Sequence, residues 1–122
     1  MTPHWLAHAL YILDAIETLD QATEKGFEYL FTDNLTYRGA VQAIQTLAES
    51  TYKLPDDIKA DHSDIPWVDF RELRNNFAHD YLVCPTQELI SHIINHYLPP
   101  LKAAMMEHVP NWDEIKHEHR YI

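Results

Sequence analysis

Five residues near the middle of the chain are of types that can act on a phosphate ester. They stand within "RELRNNFAHDY", residues 71–81, and are Arg71, Arg74, Asn75, His79 and Tyr81. Histidine titrates near neutral pH and can give or take a proton. Arginine presents a fork of N–H donors to phosphate oxygens, and asparagine can position a bound group. These residue types would suit a site that binds or cleaves a phosphodiester.

Residues 66–81 carry the spacing of an amphipathic helix. The apolar positions recur at three- and four-residue intervals, at Trp67, Phe70, Leu73 and Phe77. On a regular helix Arg71, Asn75 and His79 share one face, whereas Arg74 lies about 100° from Asn75. From this pattern alone, the plainer interpretation is a polar helix end with a histidine that the helix dipole favours. That interpretation stays open at this point.

The alternative interpretation is cleavage of RNA without a metal ion. In that reaction the 2′-hydroxyl attacks the adjacent phosphate, and the reaction requires a base, an acid and a cation near the phosphorane. One chain supplies a single His79, so a two-fold dimer would be needed to bring two histidines and two arginines into one cleft. This hypothesis makes Arg74 and His79 catalytic, with Asn75 and Arg71 in supporting positions.

Metal-dependent chemistry has weaker support in the sequence, although the chain holds nine histidines. His4/His8 and His92/His96 are each spaced to share a helix face, but neither pair has the glutamate directly after the first histidine that a zincin requires. No glycine-rich phosphate loop and no nucleophile motif is present. We therefore predict no metal site and no cofactor.

Length and charge limit the remaining function classes. The 122 residues are enough for one domain with its own core, and the single cysteine excludes an internal disulfide. No secretion signal and no membrane-spanning run is recognised, so the predicted location is cytoplasmic. The formal net charge of −10 disfavours general nucleic-acid binding, so we expect no DNA partner. A local site built from a few arginines, or a basic protein partner, remains compatible with that charge.

The apolar spacing elsewhere predicts an all-α fold. A first helix is expected over residues 6–19, with Thr2 and Pro3 as its start signal, and a short helix is expected over residues 23–32. A second long helix is expected over residues 37–48, capped by Asn34 or Thr36.

The second half of the chain continues the helical pattern. Residues 53–66 are a polar connector with room for one helical turn, and Thr86 is a predicted N-cap. Pro99 and Pro100 should kink or break the helix that follows. The result is an antiparallel four- to five-helix bundle over residues 1–109, followed by a loosely held tail over residues 110–122.

Three stretches of the chain resemble the HepT-like toxins of the HEPN superfamily. "IPWVDFRELRNNFAHDY" contains the hallmark of that family, which is Arg, four residues, His, one residue and Tyr. "YRGAVQAIQTLAES" with the connector "LPDDIKADHSDIPW", and "ELISHIINHYLPPLK", are similar to the family's second long helix and its closing helix. Two departures are Ala48-Glu49-Ser50, where Gly-Glu-Ala is usual, and Phe77-Ala78 before the histidine.

The resemblance implies a HEPN-like homodimer with metal-independent endoribonuclease activity at the dimer cleft, acting on mRNA or tRNA as a toxin. Arg74 and His79 match the catalytic pair, and Asn75 matches the polar residue after the arginine. Tyr81 matches the tyrosine to which a partner minimal nucleotidyltransferase, the antitoxin, transfers AMP from ATP. The alternative is a non-catalytic HEPN subunit that binds a nucleotide or a nucleotidyltransferase partner.

Overall fold

The structure, a computed structural model, describes residues 4–79 and 86–119, without the side chains of residues 77–79, 117 and 119. Every regular element within these residues is helical, which confirms the all-α prediction. A π-helical turn, Ile93–Tyr97, joins α6 directly to α7. The helices are α1 (Leu6–Ala22), α2 (Phe27–Thr32), α3 (Asn34–Tyr52), α4 (Asp56–Asp61), α5 (Trp67–His79), α6 (Gln87–His92), α7 (Leu98–His108) and α8 (Trp112–His119).

The core lies between α1, α3, α5 and the continuous segment formed by α6, the π turn and α7. Helix α3 packs against both α1 and α5, and α1 also packs against α7. Each helix contributes apolar residues at helical spacing, because only one stripe of each faces its neighbours. The largest fully buried side chains include Ile12, Leu13, Ile16, Leu19, Ile44, Leu47, Phe70, Ile90, Ile93 and Leu101.

The start of the first helix agrees with the prediction, whereas the second helix starts later. Helix α1 begins at Leu6 after Trp5, and the predicted signal, Thr2 and Pro3, lies outside the described residues. Helix α2 begins at Phe27, later than predicted, because Gly26 precedes it with a φ of 91°, a backbone conformation that suits glycine and lies outside the helical range.

The cap of α3 is Asp33, not the predicted Asn34 or Thr36. Its carboxylate accepts hydrogen bonds from the backbone N–H of Thr36 at 3.0 Å and from the Thr36 hydroxyl at 2.7 Å. Asn34 is instead the first helical residue, and its side chain accepts a hydrogen bond from Arg38 Nε at 3.2 Å. The hydrogen bonds from Thr36 also lower the pKa of Asp33.

The connector before α5 is held by one tryptophan. Trp67 Nε1 donates to the carbonyl oxygen of Lys59 at 3.1 Å and to that of His62 at 3.0 Å. These two carbonyls lie at the end of α4, which is the predicted helical turn. Trp67 therefore fixes the path of the chain into the helix that carries the candidate site.

Two prolines are accommodated by a wider helical turn. Thr86 caps α6 as predicted, since its hydroxyl accepts from Leu89 N–H at 3.1 Å. The chain passes Pro99 and Pro100 without breaking, and the Leu98 N–H donates to the Ile93 carbonyl five residues back. A proline ring clashes with the carbonyl four residues before it and offers no N–H, so a π turn just before the prolines relieves both problems.

The segment after residue 109 is better packed than we expected for a loose tail. Trp112 at the start of α8 is 1% exposed and belongs to the core cluster. Lys116 Nζ lies 3.4 Å from Glu17 Oε1 on α1. The division between a bundle and a tail at residue 109 stays a prediction, but α8 contacts the bundle through these residues. No described helix is both long enough and apolar enough to cross a membrane.

Candidate functional site

Helix α5 carries four of the five predicted site residues on one continuous backbone. It runs to His79, so the spacing from Arg74 to His79 is that of a regular helix. Arg71 and Asn75 are exposed, and each makes no hydrogen bond or ion pair with another described residue. The side chains of Phe77 and His79, and the whole of Tyr81, lie outside the described residues.

Arg74 is held in place by two residues of α3. Its Nε donates to Glu49 Oε2 at 3.1 Å. Its guanidinium carbon lies 4.2 Å from the centre of the Tyr52 ring, a cation–π contact. The hydrogen bond and the ring contact together fix the plane of the guanidinium, while the side chain keeps 31% of its surface exposed.

The contact with Glu49 uses only one of the N–H groups of the Arg74 guanidinium. An arginine has five N–H donors, and the contact with Glu49 uses the one on Nε. The terminal N–H groups, which form the fork that matches a phosphate, bond to no other described residue. The geometry therefore positions the cation without occupying the edge that would bind an anion.

Further charges gather around this arginine. Lys53 Nζ lies 3.4 Å from the other oxygen of Glu49, and Lys59 Nζ lies 5.9 Å from the Tyr52 ring centre. The hydrogen bond from Arg74 lowers the pKa of Glu49, and Lys53 lowers it further, against the opposing effect of burial. Glu49 is thus a carboxylate at neutral pH that contacts two cationic side chains, Arg74 and Lys53. These residues form a local cationic site on an acidic chain, which the net charge of the sequence did not exclude.

Sequence reasoning missed Glu49 and Tyr52 as partners of Arg74. Glu49 was named only as part of Ala48-Glu49-Ser50, a departure from the family pattern, and no role was predicted for Tyr52. A signal was available, since Glu49, Tyr52 and Lys53 are three and four residues apart and share the face at the end of α3. Pairing that face with Arg74 requires the register of α3 against α5, which depends on packing between distant residues.

The Glu49–Arg74 pair should contribute a small, pH-dependent stabilisation. Glu49→Gln and Arg74→Gln, made separately and together, should show a coupling of about 0.2–1 kcal/mol in the free energy of unfolding, because the pair is partly exposed. The pKa of Glu49 is lowered on folding, so the coupling is complete above its ordinary pKa of 4.5. It should disappear as the pH falls through the lowered, folded value.

Urea denaturation of the four proteins at neutral pH and at successively lower pH measures this coupling. The matched control is Glu72→Gln with Arg74→Gln, because Glu72 is exposed on α5 and makes no ion pair with Arg74. A coupling of zero at neutral pH for the Glu49 pair, or an equal coupling for Glu72, would contradict the observed contact.

A cleft beside α5 is unsuited to binding an anion. It measures about 270 Å³ and is lined by Asp69, Glu72, Leu73, Asn76, Leu89, Ile93 and Tyr97. The Tyr97 hydroxyl donates to Asp69 Oδ2 at 2.8 Å. Burial and this contact raise the pKa of Tyr97 to about 12, so the phenol stays protonated. With two carboxylates in its wall, this cleft would repel a phosphate that Arg74 attracts.

The chain is similar to several known proteins. A family model described as "Ribonuclease HepT-like" matches residues 12–108. A "Probable ribonuclease HepT" of Thermococcus cleftensis is 31% identical over 71 residues, which are 57% of this chain and 64% of that protein. A "Gamma-glutamylcyclotransferase and putative RNase" of Methanocaldococcus jannaschii is 23% identical over 107 residues, 87% of this chain and 48% of that protein.

A third relative, a "Putative RNase" of Caldanaerobacter subterraneus, is 27% identical over 55 residues. These are 45% of this chain and 49% of that protein. The chain thus spans less than two thirds of the length of each of these three curated relatives. No solved structure matches the chain at the same level of significance.

Proposed function

Because this chain belongs to the HepT-like family, whose model covers residues 12–108, we propose that it is a metal-independent endoribonuclease and the toxin of a toxin–antitoxin pair. The observation that carries the proposal is the preorganised guanidinium of Arg74. Glu49 and Tyr52 hold it on α5, five residues before His79, and its terminal N–H groups make no hydrogen bond to any residue that the structure describes. An arginine fixed in this way before a substrate arrives needs little reorganisation to bind a phosphate.

The proposed reaction divides its steps between two side chains. One His79 takes the proton of the RNA 2′-hydroxyl, whose oxygen then attacks the adjacent phosphorus. The bond from phosphorus to the 5′-oxygen breaks, and a second His79 gives that oxygen its proton. The products are a 2′,3′-cyclic phosphate and a 5′-hydroxyl. Arg74 stabilises the negative charge of the phosphorane, an effect of about 10²–10³-fold for comparable oxyanion donors.

The spacing on α5 supports a dimeric site. Positions 74 and 79 are about 140° apart around a regular helix, so one copy of α5 does not present both side chains in one direction. Two copies that meet around a two-fold axis would place Arg74 of one protomer opposite His79 of its partner. A homodimer with RNA in the cleft is therefore part of the proposal, and Asn75 and Arg71 would hold the RNA backbone beside it.

Tyr81 is the proposed switch. It stands two residues after His79 and seven after Arg74 in the sequence, so it closely follows the proposed catalytic pair along the chain. A minimal nucleotidyltransferase antitoxin would transfer AMP from ATP to its hydroxyl. The added phosphate would repel RNA from the cleft. The net charge of −10 suits a partner with a basic surface.

The test is RNA cleavage by the purified chain with excess EDTA. We expect fragments that end in a 2′,3′-cyclic phosphate, and no cleavage of the same RNA with a 2′-deoxy sugar at the cut. If the chain cuts no RNA while ATP and the nucleotidyltransferase still label Tyr81, the non-catalytic subunit is the correct function. Cleavage of the 2′-deoxy substrate would exclude the proposed chemistry.

A further inference from the structure

Three side chains from two distant parts of the sequence lie together in an arrangement that could hold a metal ion. His62 directly follows α4, and Glu107 and His108 are the last two residues of α7. One ligand atom from each of the three lies within 4.8 Å of the other two. His62 Nε2 lies 3.5 Å from Glu107 Oε2.

His62 is held in a fixed position by its backbone. Its carbonyl accepts hydrogen bonds from Trp67 Nε1 at 3.0 Å and from the Ile65 N–H at 3.1 Å. Its side chain is 12% exposed. The imidazole is therefore presented toward α7 by a connector that the Trp67 contact makes rigid.

His108 has a buried nitrogen that no described residue satisfies. Its Nε2 is shielded from solvent and has no hydrogen-bond partner within the described part of the chain. Trp5 packs edge-on against the ring, with 5.0 Å between ring centres, and the His62 ring lies 5.7 Å away. Buried polar atoms in folded proteins normally make a hydrogen bond or bind an ion. We therefore expect His108 Nε2 to bind a group that the described side chains do not provide.

We propose that His62, Glu107 and His108 bind a divalent transition-metal ion, with Zn²⁺ as the best match. Two imidazole nitrogens and one carboxylate oxygen are a ligand set that Zn²⁺ takes at bond lengths of about 2.0–2.1 Å, with water in the fourth position. A tetrahedral site then separates its ligand atoms by about 3.3 Å, close to the His62–Glu107 distance. Glu107 is 66% exposed and free to close the remaining gap.

The ion would join the connector after α4 to the end of α7. Apart from His62–Glu107, no ion pair links these two segments among the residues that the structure describes. Trp5 would cover the inner side of the ion. The site shares no residue with the Arg74 cluster, so it stands or fails independently of the ribonuclease proposal. Its expected role is to stabilise the bundle, not to take part in cleavage.

The test titrates Zn²⁺ into chelator-treated full-length protein in competition with a chromophoric chelator. We expect one tight site per chain and, at zinc one hundred times its Kd, a rise in Tm of roughly 10 °C. Glu107→Gln and His62→Asn should each weaken zinc binding at least about tenfold. Co²⁺ should give the visible d–d bands of a tetrahedral site, and Glu107→Gln should abolish them.

Matched controls separate this site from the other histidines. Glu114→Gln removes an exposed glutamate of α8, and His96→Asn removes one member of the pair whose rings lie 4.7 Å apart on neighbouring turns. Both should bind zinc as the wild type does. The proposal is overturned if the wild type takes up no zinc, if Glu107→Gln and His62→Asn bind it unchanged, or if His96→Asn is the variant that loses it.

Discussion

His79→Ala is expected to cleave RNA at least about 100-fold more slowly than the wild type, and up to about 10⁴-fold more slowly. The reason is that each His79 of the proposed dimer performs one of the two proton transfers, and α5 contains no other histidine. Single-turnover cleavage of a defined RNA in EDTA measures the effect. His96→Ala is the matched control, because His96 is an exposed histidine elsewhere on the bundle.

Mixed dimers extend this test to the geometry of the site. A dimer of one wild-type chain and one His79→Ala chain holds a single His79. Because the proposed reaction uses one His79 as the base and the other as the acid, this mixed dimer should cleave RNA nearly as slowly as the His79→Ala homodimer. Unchanged cleavage by His79→Ala would end the catalytic proposal. A mixed dimer that keeps a large part of the wild-type rate would mean that each cut uses a single histidine, which would contradict the proposed pair of proton transfers.

The residues on α5 were predictable from the sequence for a definite reason. A motif on one helix is local, so its spacing is fixed by the helical repeat, and the apolar positions around Phe70 fix which side of the helix faces the core. The interval from Arg74 to His79 needs no tertiary information. The same local reasoning found the Thr86 cap and the all-α class.

The partners of those residues depend on the register between helices, which spacing does not reveal. Glu49 reaches Arg74 only because α3 packs against α5 with the end of one beside the middle of the other. The group formed by His62, Glu107 and His108 depends even more on packing. Neither histidine has another metal-binding residue three or four residues away, so helical spacing does not reveal the group. The Asp33 cap was missed for a simpler reason, because three neighbouring residues have side chains able to cap a helix.

Trp112 provides the sharpest test of how far the bundle extends. Trp112→Ala should lower the free energy of unfolding by about 3–5 kcal/mol, the usual cost of deleting a large aromatic side chain from a packed core. The expectation follows from its 1% exposure within the core cluster. A loss of this size is a large part of the roughly 5–15 kcal/mol that holds a typical domain together.

Urea denaturation at a fixed chain concentration measures this loss, with Leu35→Ala as the control. Leu35 is 82% exposed, so its truncation should change the free energy of unfolding by no more than about 0.5 kcal/mol. If Trp112→Ala is as mild as Leu35→Ala, residues 112–119 are the loose tail that the sequence suggested. A large loss would show instead that α8 closes the core beside α1, and that shortening the chain at residue 109 would remove part of the fold.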